Sequence, residues 1–115
     1  MNIELKEDFK IVEEGATYTL PRYIVAENGL KELDTDFLIN FVRGSKLKDE
    51  DVPKREGIRH QNLLAMMIHD LKFKNNLVPS KEGSLVITKL EEALDWLRQK
   101  QIDRTKKEVE GTYKK

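Results

Sequence analysis

The sequence predicts an α+β fold, in which a small N-terminal antiparallel β-region is followed by a long antiparallel α-helical hairpin. β-branched and aromatic residues are concentrated in residues 17–43, which is typical of strands. Apolar residues then recur at helical spacing from residue 59 to about residue 107. A polar connection containing Pro53 and Gly57 separates the two patterns. We therefore expect a β-region in residues 1–56 and a hairpin with a C-terminal tail in residues 57–115, within one compact domain.

The N-terminal region contains three segments with strand character. Residues 3–5 alternate apolar and charged side chains, and residues 17–26 and 36–43 are rich in β-branched and aromatic residues. Asn28 and Gly29 lie between the last two segments and suit the backbone of a tight hairpin turn. Pro21 cannot donate a hydrogen bond to a neighbouring strand, so its strand is expected to be an edge strand or bulged.

The C-terminal region contains two predicted helices joined by a short turn. The first extends from residue 59 to about residue 75, and the second from Lys81 to about Lys107, with Ser80 as its N-cap. Because the turn is short, the two helices are expected to pack antiparallel. The predicted apolar seams are Leu63, Leu64, Met67, Ile68 and Leu71 in the first helix, and Val86, Leu90, Ala93, Leu94 and Leu97 in the second.

The hairpin carries more apolar surface than its own seam can bury. Leu85 and Trp96 lie about a quarter-turn off the seam of the second helix, and Ala65, Met66 and Phe73 lie off the seam of the first. Exposed apolar patches of this size usually mark an interface. The surplus predicts association with further copies of the chain. The alternative is that the β-region covers it entirely.

The composition narrows the possible classes of protein. The 115 residues include 21 Lys and Arg, 21 Asp and Glu, and no cysteine. A chain without net charge is not expected to bind DNA, and the lack of cysteine removes disulfides, thiol nucleophiles and the common zinc sites. The acidic N-terminus is unlike a signal peptide, and no stretch approaches the ~20 apolar residues of a membrane span. We therefore expect a cytosolic protein.

No set of residues predicts catalysis or a metal site. His60 and His69 are nine residues apart, whereas helical metal ligands are usually three or four apart. Glu91, Glu92 and Asp95 cluster on the second helix, a pattern more typical of a solvated face with local ion pairs. Since the sequence offers no nucleophile with a base and an orienting group, we do not expect an enzyme.

A basic stretch late in the second helix has two interpretations. It consists of Arg98, Lys100, Arg104, Lys106 and Lys107. Cations near a helix C-terminus are favoured by the helix dipole alone. Alternatively, the stretch is an anion clamp to which Gly111 and Thr112 add a backbone N–H and a hydroxyl. Gly83 lies in the first turn of this helix and suggests that another group approaches the backbone closely there. Ser84 and Thr88, one turn apart, are more typical of the ordinary polar surface of a helix.

The segment SKEGSLVITKLEEALDWL, followed by Asp103-Arg104 and by VEGT at residues 109–112, resembles the hairpin domain of phage anti-Thoeris and anti-CBASS sponge proteins. The segment NLLAMMIHDL of the first helix is similar to the same family. A small β-region ahead of the hairpin is the arrangement of the anti-Thoeris branch. The resemblance covers roughly residues 57–112. Gly83 stands where the family has Asn, and Lys100 stands where it has Arg.

The resemblance implies a non-enzymatic role in phage immune evasion. Such proteins bind cyclic nucleotide second messengers and sequester them without cleavage. The ligands are the cyclised ADP-ribose of Thoeris or the cyclic oligonucleotides of CBASS. The resemblance also implies a homo-oligomer, either a dimer or a hexamer, with pockets shared between copies. It implies action in the cytoplasm of the infected bacterial host, with no cofactor, DNA partner or membrane partner.

The resemblance also implies a set of ligand-binding residues. They are Arg43, Arg55, Phe73, Lys74, Ser84, Thr88, Lys100, Arg104, Gly111 and Thr112. Phe73 or Lys74 stands at the family's aromatic position, and Phe73 either stacks on a base or belongs to the core. Two alternatives to a sponge are an oligomeric helical-hairpin interaction module without a nucleotide ligand, and an enzyme that degrades the signal.

Overall fold

The computed structural model describes residues 8–44 and 53–113, with side chains up to residue 107. Three antiparallel strands, β1 (Lys10–Glu13), β2 (Thr17–Ala26) and β3 (Gly29–Asn40), precede two helices, α1 (His60–Leu77) and α2 (Lys81–Tyr113). The predicted α+β class with a C-terminal helical hairpin is confirmed. The chain divides into two compact units, Met1–Arg59 and His60–Lys115. The strand predicted at residues 3–5 lies outside the described residues.

The strands form one sheet in the order β1-β2-β3. β2 has the predicted bounds, and its hairpin with β3 closes where Ala26 pairs with Gly29. Gly29 has a φ of 111°, whereas no described non-glycine residue has a positive φ. The turn therefore depends on the one residue that adopts this backbone conformation without steric cost.

Two features of the sheet differ from the prediction. β1 was not predicted, and β3 begins at Gly29 and ends at Asn40, rather than covering residues 36–43. The first half of β3 is polar, but it pairs with β2 from Gly29 onward. Pairing along the hairpin supplies backbone hydrogen bonds and overrides the weak strand propensity of these residues.

The expected irregularity at Pro21 is present. The β2–β3 register shifts between Pro21 and Tyr23, which is the bulge that a residue without an N–H favours. β1 pairs only with residues Thr17–Thr19 of β2.

The two faces of the sheet differ in chemistry. Strand alternation and register place Phe9, Ile11, Tyr18, Leu20, Phe37, Ile39 and Phe41 on one side, here called the aromatic face. The Tyr18 ring lies edge-on to the rings of Phe9 and Phe41, each at 5.8 Å between centroids. On the opposite face, Thr17 Oγ1 donates to Asn40 Oδ1 at 2.9 Å, and Lys10 Nζ lies 3.6 Å from Asp36 Oδ2.

The hairpin has a small core. Ile68, Ile87 and Leu94 are buried, with Leu64, Leu71 and Leu90 packed against them. The predicted seam is wrong at Met67, Val86 and Ala93, which are exposed. Successive helical residues are about 100° apart, so burial of Ile87 in place of Val86 and Ala93 turns the buried face of α2 by less than half of that angle. Leu90 and Leu94 belong to the core as predicted.

The predicted surplus of apolar surface on the hairpin is present. Trp96 is 75% exposed, and Leu85, Met66 and Phe73 are also exposed. No helix in the described part of the chain is both long enough and apolar enough to cross a membrane.

Polar side chains hold the turn between the helices. Ser80 is the N-cap of α2, as predicted, since the Gly83 N–H donates to its Oγ at 2.9 Å. Asn75, in the last turn of α1, accepts from the Ser80 N–H at 3.1 Å and donates to Ser84 Oγ at 3.2 Å. The Asn75 carboxamide therefore ties the end of α1 to the first turn of α2.

Gly83→Ala is expected to destabilise the protein by about 0.5–1.5 kcal/mol, because the Asn75 and Ser80 side chains would have to move and would weaken their hydrogen bonds. A Cβ at this position would meet Asn75 Oδ1 and would lie 2.9 Å from Ser80 Oγ. The clash should outweigh the ~0.5–1 kcal/mol by which alanine favours a helix over glycine. Urea unfolding followed by circular dichroism measures the change.

Lys81→Ala is the matched control, since Lys81 is exposed in the same helical turn and should change stability by less than about 0.5 kcal/mol. In an Asn75→Ala background, which already lacks the hydrogen bonds of the Asn75 side chain, Gly83→Ala should cost less stability than it does in the parent. A Gly83→Ala variant as stable as the parent would contradict the close contact with Asn75.

Candidate functional site

An exposed strip on α2 changes from apolar to basic along the helix. This α2 strip consists of Val86, Ala93, Trp96, Lys100, Arg104 and Lys107, which are spaced by three, four or seven residues and so share one side of the helix. All six side chains are exposed. The strip therefore offers an apolar surface beside a row of cations.

The cations of the α2 strip are available to an anion. No described carboxylate lies within ion-pair distance of Lys100 or Arg104, whereas Arg98, outside the strip, lies 3.5 Å from Asp95. Residues four apart on a helix have Cβ atoms about 5–6 Å apart. Lys100 and Arg104 can therefore contact adjacent phosphates, and the guanidinium can do so through two hydrogen bonds.

Gly111 and Thr112 lie inside α2, because the helix continues to Tyr113 instead of ending near Lys107. Backbone N–H groups within a helix donate to carbonyls four residues earlier. The N–H that we assigned to ligand binding is thus part of the helix, at a position that continues the spacing of the α2 strip. The Thr112 side chain lies outside the described side chains.

Four other predicted residues lie near the turn between the helices. Phe73 is 61% exposed, so its ring is not part of the described core. Lys74 Nζ lies 2.8 Å from Asp70 Oδ2. The Ser84 hydroxyl donates to the Ser80 carbonyl at 3.1 Å, and the Thr88 hydroxyl donates to the Ser84 carbonyl at 3.1 Å. Both hydroxyls are therefore used within the helix.

The two groups of predicted residues lie at opposite ends of the hairpin. Ser84 and Arg104 are separated by 20 residues of continuous helix, which corresponds to about 30 Å. A small ligand at Lys100 and Arg104 therefore does not reach Phe73 or Ser84 of the same hairpin.

Arg43 and Arg55 belong to the first unit and bind the same carboxylate. Arg43 Nη2 lies 2.8 Å from Glu13 Oε2, and Arg55 binds both Glu13 oxygens, at 2.9 and 3.0 Å. The backbones of the two arginines also exchange hydrogen bonds at 2.9 and 3.0 Å. We call this set the Glu13 clasp. It fastens the segment around Arg55 to the end of β1, a role that sequence patterns did not reveal.

Glu13→Gln should destabilise the first unit at neutral pH. The hydrogen bonds from Arg55 and the positive charges of both arginines hold the pKa of Glu13 below its usual range. Because the pKa of Glu13 is lower in the folded than in the unfolded state, the ionised carboxylate stabilises the fold at pH values above the unfolded-state pKa. This stabilisation is lost as the pH falls through the folded-state pKa. Thermal unfolding should therefore separate parent and variant at pH 7 and converge at acidic pH.

Glu14→Gln provides the control for that experiment, because Glu14 is the exposed neighbour of Glu13. Its melting temperature should follow the parent at every pH. A Glu13→Gln variant that melts with the parent at pH 7 would show that the clasp does not contribute to stability.

A groove between α1 and α2 was not predicted. It has a volume of about 280 Å³ and is lined by Ala65, Ile68, Glu91, Leu94, Asp95 and Arg98. Glu91 lies 3.1 Å from Lys72, and Asp95 pairs with Arg98. Two carboxylates facing one guanidinium do not suit a diphosphate. The described residues contain no group of three or more His, Asp or Glu side chains placed to hold a metal ion.

Comparison with known proteins finds similarity over about half of the chain. No model of a known protein family matches the chain. A stretch of 60 residues, 51% of the chain, is 42% identical to Thoeris anti-defense 1 of Bacillus phage SBSphiJ7. The predicted resemblance to the anti-Thoeris proteins is confirmed. The match spans 42% of the length of that phage protein, so the chain covers less than half of this anti-Thoeris relative.

Proposed function

We propose that the chain is a phage immune-evasion protein that binds and sequesters a cyclic nucleotide second messenger without cleaving it. The 42% identity to Thoeris anti-defense 1 carries the proposal. The proposed ligands are the cyclised ADP-ribose of Thoeris and the cyclic oligonucleotides of CBASS. The proposed place of action is the cytoplasm of the infected bacterium.

The chemistry of the hairpin supports an anionic ligand with a base. Lys100 and Arg104 present two cations without described acidic partners, which suits a pair of phosphates. Phe73 presents an exposed ring, and purine bases stack on aromatic side chains. A local row of cations allows a chain without net charge to bind an anion.

The separation of these groups supports a pocket shared between copies. A second hairpin, packed antiparallel to the first, brings its Phe73 end toward the Arg104 end of its neighbour. The exposed Trp96 and Met66 side chains provide apolar surface for such packing. A homo-oligomer therefore completes the site in this proposal, whereas one hairpin supplies only half of it.

A thermal-shift assay tests the proposal. The protein is titrated with cyclised ADP-ribose and with cyclic di- and trinucleotides, and linear ADP-ribose serves as the control. A bound ligand at 100 times its Kd should add about 2.7 kcal/mol of stability. The ligand released by heat should co-elute with the starting compound. Absence of a shift with every cyclic ligand would contradict sequestration, and recovery of a product would indicate an enzyme.

The exposed apolar side chains of the hairpin also favour a second candidate, an oligomeric interaction module. Such a module forms oligomers but does not bind nucleotides. Native mass spectrometry with the same panel of ligands separates the candidates, because it reports copy number and bound ligand together. Oligomers without any bound nucleotide would favour the module.

A further inference from the structure

We propose that the Glu13 clasp is a charge-dependent latch that keeps residues 53–58 paired with the sheet. This segment lies directly before α1 in the chain, and only Arg59 separates Ile58 from His60. With the latch closed, the connection from the paired segment to α1 is therefore Arg59 alone. With the latch open, the connection begins at the end of β3. The proposal concerns the first unit and does not depend on a nucleotide ligand.

Backbone hydrogen bonds join the segment to the chain at the end of β3. Ile58 donates to the Asn40 carbonyl at 2.8 Å and accepts from the Val42 N–H at 2.9 Å, in addition to the two backbone bonds between the arginines of the clasp. Gly57 permits this close approach, because a Cβ at its position would meet the Asn40 carbonyl oxygen. The segment is thus paired with the sheet through its backbone.

No buried apolar side chain anchors the segment among the residues that the structure describes. Every residue from Pro53 to Ile58 is exposed, and Ile58, its one large apolar residue, is 40% exposed. By contrast, Ala16 in the turn after β1 is fully buried and accepts from the Phe41 N–H. Segments with few buried apolar contacts open locally at a low cost in free energy. Attachment of residues 53–58 therefore depends on polar contacts.

One carboxylate holds both arginines of the clasp. The Arg43 side chain is 17% exposed, and it also donates to the Pro53 carbonyl at 2.9 Å and to the Glu14 carbonyl. Arg55 brings a second guanidinium to the same carboxylate. Without the negative charge of Glu13, the two guanidinium groups would face each other without a counter-charge, and like charges repel. Removal of this one charge therefore replaces attraction by repulsion between the segment and the sheet.

Amide hydrogen exchange of the full-length protein, followed by NMR, tests the latch at two neighbouring residues. The Val42 N–H donates to Ile58, whereas the Phe41 N–H donates to Ala16. Glu13→Gln should raise the exchange rates of the Val42 and Ile58 amides by about 5-fold or more, a modest value for a charged hydrogen bond because the clasp is partly exposed. The Phe41 amide should change by less than about 2-fold, since only the segment opens. Unchanged exchange at Val42, or equal acceleration at Phe41, would overturn the proposal.

Salt tests whether charge controls the opening. In the parent, about 1 M NaCl should accelerate exchange at Val42 relative to Phe41, because it screens charges over about 3 Å. In Glu13→Gln the same salt should leave this ratio unchanged or lower it, since only repulsion between the arginines remains to be screened. Glu14→Gln is the control and should behave like the parent, and circular dichroism confirms that both variants fold. An equal response to salt in Glu13→Gln and the parent would refute a charge-dependent latch.

Discussion

Leu94→Ala is expected to destabilise the hairpin by about 2–5 kcal/mol. Leu94 is 5% exposed and is one of three buried residues in the core between α1 and α2. Truncation removes apolar contacts and leaves a cavity that Ile68 and Ile87 cannot fill without moving. Because domains are stable by only ~5–15 kcal/mol, this loss is a large fraction of the total. Urea unfolding followed by circular dichroism measures it.

Ile102→Ala is the control for the loss of an apolar side chain from the same helix. Ile102 is 47% exposed, so its truncation should cost less than about 1 kcal/mol. Both variants are compared at one protein concentration, since association contributes to apparent stability. Equal losses at the two positions would show that Leu94 is not the centre of the core.

Arg104→Ala should weaken binding of the cyclic nucleotide by about 1.5–3 kcal/mol, or roughly 10- to 150-fold in Kd. Arg104 is exposed on the α2 strip, one turn from Lys100, without a described acidic partner. In the proposed pocket its guanidinium pairs with a phosphate, and no other group replaces that charge. Isothermal titration calorimetry measures the affinity, and sedimentation should show an unchanged oligomer.

Lys106→Ala is the matched control for charge, because Lys106 is exposed two residues further along α2 and about 200° around the helix. Its affinity should stay within about 3-fold of the parent, since a distant surface charge is screened by salt. An Arg104→Ala variant that binds like the parent would refute this assignment of the site. An equal loss in both variants would indicate a general charge effect instead of a phosphate contact.

Local sequence signals were sufficient for several elements. β2 occupies the predicted residues because its β-branched and aromatic side chains are followed by a turn at Glu27 and Asn28, after which Gly29 begins β3. The start of α2 is correct because Ser80 caps it through a hydrogen bond three residues away. These features depend on neighbours in the chain, so composition and spacing suffice to predict them.

The candidate site was less accessible to sequence reasoning. The basic residues of α2 were identified, but the separation of about 30 Å between Arg104 and Ser84 follows from the continuous helix. Arg43 and Arg55 carry the positive charge that an anion site needs, yet both bind Glu13. A sequence shows the charge of a side chain but not the acidic residue that folding brings beside it.

The sequence by itself determined the α+β class, the helical hairpin and the resemblance to anti-Thoeris proteins, because these depend on residue order and short-range periodicity. Only the tertiary structure decided that Ile87 rather than Val86 is buried, which arginines are already paired and how the strands are registered. The physical reason is that contacts between residues distant in the chain, such as Glu13 with Arg55 and Ile68 with Leu94, form through packing and have no local signature.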